Sequence, residues 1–194
     1  MTGVYCVFCR TGFEAGIESR LKRRGYATLV PKIKKFKPSG GKLVEKELCL
    51  LPGYVFFETD EKELDVRSIN TLQNAIKLLQ YDDGEYRLRG ADLDFVEWIR
   101  RHDGTIEPTK VIKEGTKIRF VEGPLCELNG RVLKVNKSRR QVQIELNNAD
   151  GLLSTIWCAI EYVEPEHGRK NSVHNHHHIS WHNEPYTVPY DGHR

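Results

Sequence analysis

One apolar run in an otherwise polar chain, Leu48-Cys49-Leu50-Leu51-Pro52-Gly53-Tyr54-Val55-Phe56-Phe57-Glu58, limits the folds open to this protein more than any other stretch. Its density of aromatic and β-branched side chains reads as a buried strand. Pro52-Gly53 interrupts it, because proline cannot donate to a sheet ladder and glycine bends the chain, so the strand proper begins at Tyr54. Alternation along a strand sends Tyr54 and Phe56 to one face and Val55 and Phe57 to the other. One face must build the core. The other either meets a partner or is itself covered by helices, as in many α/β sheets.

Upstream, Val4-Tyr5-Cys6-Val7-Phe8-Cys9 reads as a strand running into Thr11-Gly12-Phe13-Glu14, a T-x-x-E capping box. Ile17 and Leu21 then recur at helical spacing, Glu18 and Lys22 pair outside, and Gly25 offers a stop, which predicts a helix over about Ala15 to Arg24. Tyr26 to Pro31 reads as a short strand. Lys32-Ile33-Lys34-Lys35-Phe36-Lys37 alternates basic and apolar residues ahead of Pro38-Ser39-Gly40-Gly41, and Lys42 to Glu47 return, which predicts a hairpin with lysines projecting outward. Past the central strand, Thr59 to Ile69 reads as a helix with acids at its front, Ala75 to Tyr81 as a strand, and Gly90-Ala91-Asp92 as the start of a helix carrying Phe95, Val96 and Ile99 to about Gly104. This order predicts an α+β domain of the split βαβ kind.

From His102 to Thr109 the composition is that of a linker. Beyond it lie only short alternating segments: Lys117 to Val121, Gly130 to Val135, Gln141 to Leu146, Ser154 to Cys158 and Glu161 to Val163. They predict a compact five-stranded barrel. The expected organisation is a first domain over 1–104, a linker over 105–112, a barrel over 113–165 and a disordered tail over 166–194, where seven of the eight histidines lie.

Charge is distributed unevenly. The net charge is only +3, yet between Arg10 and Lys46 eleven basic residues face three acidic ones. Such a face is either a solvated surface or a footprint for a polyanion. Five cysteines scattered in apolar runs argue for a reducing cytoplasm rather than a disulfide framework, and no run approaches a membrane span. Cys6-x-x-Cys9 puts its thiols on opposite faces of a strand, and the cluster His174, His176, His177 and His178 has no rigid frame. No nucleophile with an adjacent base, phosphate loop or metal motif is evident, so the expectation is a protein that is no enzyme and needs no cofactor.

The run Tyr5 to Glu14, then Val30-Pro31, then Leu51-Pro52-Gly53-Tyr54-Val55-Phe56 resembles the NusG family. Glu114-Gly115-Thr116-Lys117-Ile118-Arg119-Phe120-Val121-Glu122-Gly123-Pro124-Leu125 with Leu128-Asn129-Gly130 resembles the KOW motif that ends such proteins. Together these cover about Met1 to Pro165. The basic hairpin, Ile76 to Gly84 and Gly123-Pro124-Leu125 look most like the LoaP-type specialised paralogues.

The resemblance implies an NGN domain, an antiparallel sheet with flanking helices, followed by a small SH3-like KOW barrel. It implies a monomeric cytoplasmic transcription elongation and antitermination factor. Phe8, Phe13, Tyr54 and Phe56 would dock on the clamp helices of the largest RNA polymerase subunit, with Arg67 and Ser68 reaching the opposite pincer. Leu125 and Leu128 would hold a NusE-type ribosomal protein or Rho, while Val121 fills the barrel. A nascent RNA hairpin would meet Arg20, Arg23, Arg24, Lys32, Lys34, Lys35, Lys37 and Lys42. The competing reading is a KOW-containing ribosomal or ribosome-assembly RNA-binding protein, which has no need of the Pro52-Gly53-Tyr54 strand. A redox or metal enzyme comes third.

Overall fold

The structure, a computed structural model, describes residues 2–60, 64–115, 117–128, 130–146 and 153–164. The tail expected over 166–194 lies outside them. The central strand is β5 (Tyr54–Thr59). It lies between β1 (Gly3–Cys9) and β2 (Ala27–Leu29), with β6 (Ala75–Leu78) on the far side of β1. All pairings in this sheet are antiparallel, and Cys6 faces Phe56 while Phe8 faces Tyr54.

Both faces of this sheet are covered. Val7, Cys9, Val55 and Phe57 pack with Ile17 and Leu21 of α1 (Glu14–Lys22) and Ile69 of α2 (Val66–Asn70). Val4, Cys6 and Phe56 pack with Phe95, Val96, Trp98 and Ile99 of α3 (Gly90–Arg101). The pattern of the central run is therefore that of a strand buried on two sides, where each alternating side chain removes apolar area from water. Cys6 and Cys9 fall in different clusters, as a spacing of three along a strand requires.

The hairpin forms as its alternation predicts: β3 (Lys32–Ser39) pairs β4 (Lys42–Cys49), with Lys35 opposite Lys46 and Pro38 opposite Leu43. Gly40 and Gly41 make the two-residue turn with φ of 57° and 75°, a left-handed pair that glycine adopts without strain. The base of the hairpin is held by β7 (Thr105–Ile106), which runs parallel to Lys32 and Ile33.

The second unit is all β, a five-stranded sheet in the order β10 (Gly130–Asn136), β11 (Gln141–Leu146), β12 (Thr155–Tyr162), β8 (Thr109–Glu114), β9 (Lys117–Glu122). A 3-10 turn, Pro124–Cys126, separates β9 from β10. The molecule is thus mixed α+β, with a helix-flanked sheet and an all-β unit compatible with the expected small barrel.

Four local expectations differ from the structure. Ser154–Cys158 and Glu161–Val163 are one continuous strand, because Cys158, Ala159 and Ile160 are all buried and leave nothing to break it. The fifth strand is β8, hidden in the stretch that composition marks as linker; Thr109 and Val111 are fully buried there, and β8 pairs in parallel with Ile160 to Tyr162 of β12. The second helix is shorter than Thr59 to Ile69. It starts at Val66, where the Asp65 carboxylate accepts the Ser68 N–H at 3.0 Å. The capping box does not form either: Phe13, not Thr11, precedes α1, and its side chain makes no cap.

The two units share one apolar core. Val111, Ile118, Leu125, Val142, Ile156 and Ile160 belong to the same cluster as α3 and the Phe56 face. Hydrogen bonds help to fix the contact. Trp98 Nε1 donates to the Pro124 carbonyl at 3.0 Å, and the Leu153 N–H donates to Asp92 Oδ1 at 3.3 Å. Asp92, only 1% exposed, also accepts from the Tyr81 hydroxyl at 2.7 Å. Burial and then that carboxylate push the Tyr81 phenol up to about 12.

Candidate polymerase and nucleic-acid interface

The geometry divides the candidate residues into an aromatic group on the sheet and a basic group on the hairpin. On the sheet, Phe8 and Tyr54 are half-buried ring neighbours, centroids 5.1 Å apart, and burial raises the Tyr54 phenol above its ordinary value. Phe13 stands at the mouth of α1, 48% exposed. Phe56 is different. It is wholly buried against α3 and offers no surface to a partner in this arrangement.

The loop that carries Tyr54 is anchored from two directions. The Gly53 N–H donates to Glu14 Oε1 at 2.7 Å and the Gly53 carbonyl accepts from the Cys9 N–H at 2.7 Å. Burial alone would raise the Glu14 carboxyl, but amide donors at Glu14 itself, Gly12 and Gly53 outweigh it and hold the group below the usual glutamate range. Sequence reasoning assigned this glutamate to a helix cap. Its actual partner lies 39 residues away, beyond the reach of any local motif.

Arg67 is exposed on α2 and Ser68 is half-buried. Ser68 is engaged within the fold, since Arg24 donates to its hydroxyl at 2.9 Å and to its carbonyl at 3.2 Å. Arg20 is likewise tied, to the Gly16 carbonyl and to Gln73, both at 2.9 Å. Arg23 is exposed.

The hairpin lysines fall into three kinds. At its base, Lys32 pairs with Glu47 at 2.7 Å, and Lys34 with Glu107 at 2.7 Å and Glu45 at 3.6 Å; these acids raise both amino groups. Lys35 lies near the buried Cys158 of β12, and burial lowers its amino group. Toward the tip, Lys37, Lys42 and Lys46 are exposed and pair with no carboxylate among the described residues. Leu43 and Val44, 41% and 43% exposed, flank them.

In the barrel, Leu125 is 4% exposed and its amide donates to the Thr109 hydroxyl at 3.0 Å. Leu128 is half-buried and lines a shallow groove with Phe95, Trp98 and Leu146. Both leucines face the α3 contact rather than open solvent. Val121, expected inside the barrel, is 36% exposed. Among the described residues no group of His, Cys, Asp and Glu is arranged to hold a metal ion, and no helix is long and apolar enough to cross a membrane.

The candidate residues thus sit on a helix-flanked antiparallel sheet, on an extended basic ribbon and on a five-stranded β unit. Residues 4–95 match the family model described as transcription termination factor nusG. No curated protein matches the sequence. Similar solved structures include the following two. One, described as domain interaction in Thermotoga maritima NusG, is 15% identical, with 82% of this chain and 94% of that one covered and a TM-score of 0.44. The other, the MjSpt4:Spt5 complex, is 21% identical, with 80% and 91% covered and a TM-score of 0.29.

Proposed function

We propose that the protein is a transcription elongation and antitermination factor of the LoaP type, which binds RNA polymerase through its first domain and a hairpin in the nascent RNA through its basic ribbon. The reading divides the chain at 104 into an NGN domain and, from 113 to 165, a KOW domain. One observation carries it: the segment that matches the nusG family model bears, between β2 and β5, an extended hairpin whose outer lysines have no acidic partners among the described residues. Phosphates would supply the missing counter-charge, and release of condensed counterions would drive binding.

Polymerase would meet Phe8, Tyr54 and Phe13, large side chains of the kind that dominate interfaces. Clamp helices of the largest subunit are the partner that the NusG resemblance implies, with Arg67 on the opposite pincer. Holding both pincers would favour the closed clamp, a population shift that needs only differential affinity. The barrel would hold a NusE-type ribosomal protein or Rho through Leu125 and Leu128, which requires that surface to come away from α3. The protein acts in this reading by association and carries out no chemistry of its own.

The test is co-purification of the tagged protein with RNA polymerase before and after ribonuclease treatment. Retention of polymerase after digestion, and its loss in a Phe8→Ala, Tyr54→Ala variant that stays folded, are the expected results. Absence of polymerase from the untreated eluate would overturn the reading.

A further inference from the structure

The sequence separates two basic stretches by about a hundred residues, and the fold brings them together. The turn between β10 and β11 carries Lys137, Arg139 and Arg140, and the Arg140 guanidinium lies 5.6 Å from the ring centroid of Phe36 in β3. The contact is built rather than incidental. Asn136 Oδ1 accepts from the Arg139 N–H at 3.0 Å and the Ser138 hydroxyl at 2.9 Å, which closes the turn. Arg140 itself sits at φ 50°, and its carbonyl accepts from the Ile160 N–H of β12 at 2.9 Å, so its backbone is pinned to the barrel. Glycine or asparagine would occupy that left-handed position at lower cost. An arginine there puts a fixed cation beside the hairpin.

Lys137 and Arg139 are exposed on the same turn and, like Arg140, pair with no carboxylate among the described residues. Lys35 lies by Cys158 on the strand next to this turn, with Lys37 near enough to depress its amino group further. The acids of the neighbourhood, Glu45, Glu47 and Glu107, are spent on Lys32 and Lys34 at the base.

We propose that the barrel turn Lys137–Arg140 and the hairpin lysines Lys37, Lys42 and Lys46 form one composite surface that grips the phosphate backbone of a structured RNA. This rests on the RNA-binding reading above and extends it to the second domain. Each strand of the hairpin spans about 26 Å at about 3.3 Å per residue, enough to follow the stem while the turn holds the backbone at its root. Such a surface reads shape and phosphate spacing rather than base sequence.

The experiment titrates full-length protein with a fluorescent RNA hairpin whose stem has about 16 base pairs, across a salt series. Three variants are compared with wild type: Lys137→Ser with Arg139→Ser, Arg140→Gly, and Lys37→Ser with Lys42→Ser and Lys46→Ser. Arg140→Gly keeps the turn geometry, and the five serine substitutions of the other two variants fall on exposed side chains, so thermal melts should match wild type. Each lost phosphate contact should flatten the log-log salt slope by up to about 0.9. The Lys137, Arg139 variant should therefore shrink the affinity drop between about 50 and 200 mM salt by up to about tenfold, and Arg140→Gly by up to about threefold. If the hairpin variant weakens binding while both turn variants keep wild-type affinity and slope, the composite surface is wrong and the RNA reading stands. If wild type ignores the RNA, or binds a DNA duplex of the same length as tightly, both fall.

Discussion

The Glu14 carboxylate accepts the backbone N–H of Gly53 at 2.7 Å and so ties the first turn of α1 to the bend that launches the central strand. Gly53 has φ 90°, and a Cβ at that position would lie 2.9 Å from the Cys9 carbonyl oxygen. Backbone conformation, close approach and a buried charge therefore converge on one residue, and they set where Tyr54 stands on the surface.

Gly53→Ala should destabilise the protein by about 1–3 kcal/mol from backbone strain, with the contact to Cys9 adding to it. The neighbour is main chain and cannot rotate away. Urea unfolding followed by circular dichroism gives the value, and an alanine variant as stable as wild type would mean that the bend relaxes freely.

The same pair gives the protein an acid-sensitive limb. The folded carboxyl of Glu14 is lowered, so its stabilisation is fully present above the unfolded glutamate value of about 4.3 and is lost as pH falls from there through the folded value. Glu14→Gln removes the titrating charge while keeping an acceptor for Gly53. The variant should be less stable than wild type at pH 7, with the difference closing below about pH 4. A constant difference across that range would mean that the carboxyl is not linked to folding.

Phe56 and Tyr54 should separate by assay. Phe56 is wholly buried between β1 and α3, so Phe56→Ala should cost about 3–5 kcal/mol and leave little folded protein to test for polymerase binding. Tyr54 is half-buried, and Tyr54→Ala should stay folded and report on docking alone. Equal melting temperatures for the two variants would show that the Phe56 side of the sheet is more open than its burial indicates.

How far the sequence was legible follows from the range of each interaction. Local periodicity located α1, α3, the hairpin and its turn, because those depend on neighbours one to four residues apart. The stretch from Thr109 to Glu114 escaped, although it pairs antiparallel with β9 next to Gly115, because its other neighbour is the distant parallel segment Ile160 to Tyr162 and its charges beside Pro108 look like linker. The two-sided burial of Tyr54 to Thr59 was left open by alternation alone and is decided by α3, which returns forty residues later. Site residues were legible as types but not as partners. Nothing local says that Lys32 and Lys34 are neutralised while Lys37 is not, because Glu107 reaches Lys34 only through the β3–β7 pairing. Arg140 lies just before a segment the sequence marks as a strand, and only the packing of the barrel on the hairpin gives it Phe36 as a neighbour.

Trp98 offers the last test, which addresses the joint between the two units. Its ring is 1% exposed, stacks with Phe95 at 5.5 Å, and donates Nε1–H to the Pro124 carbonyl. Trp98→Phe keeps an aromatic ring in the core but leaves that carbonyl without its donor and opens a small void. The expected cost is about 1–3 kcal/mol for the unsatisfied carbonyl, with a further contribution from the lost ring volume. The loss falls on the contact between α3 and the 3-10 turn, so amide exchange should accelerate at Leu125 and Cys126, which follow Pro124, before it does in β1 and β5. The His102 ring, set edge-on to Trp98 at 5.7 Å, should shift in the same spectra. Uniform acceleration across the whole chain would instead mean that the two units unfold as one, and that the Trp98–Pro124 bond is no separate joint.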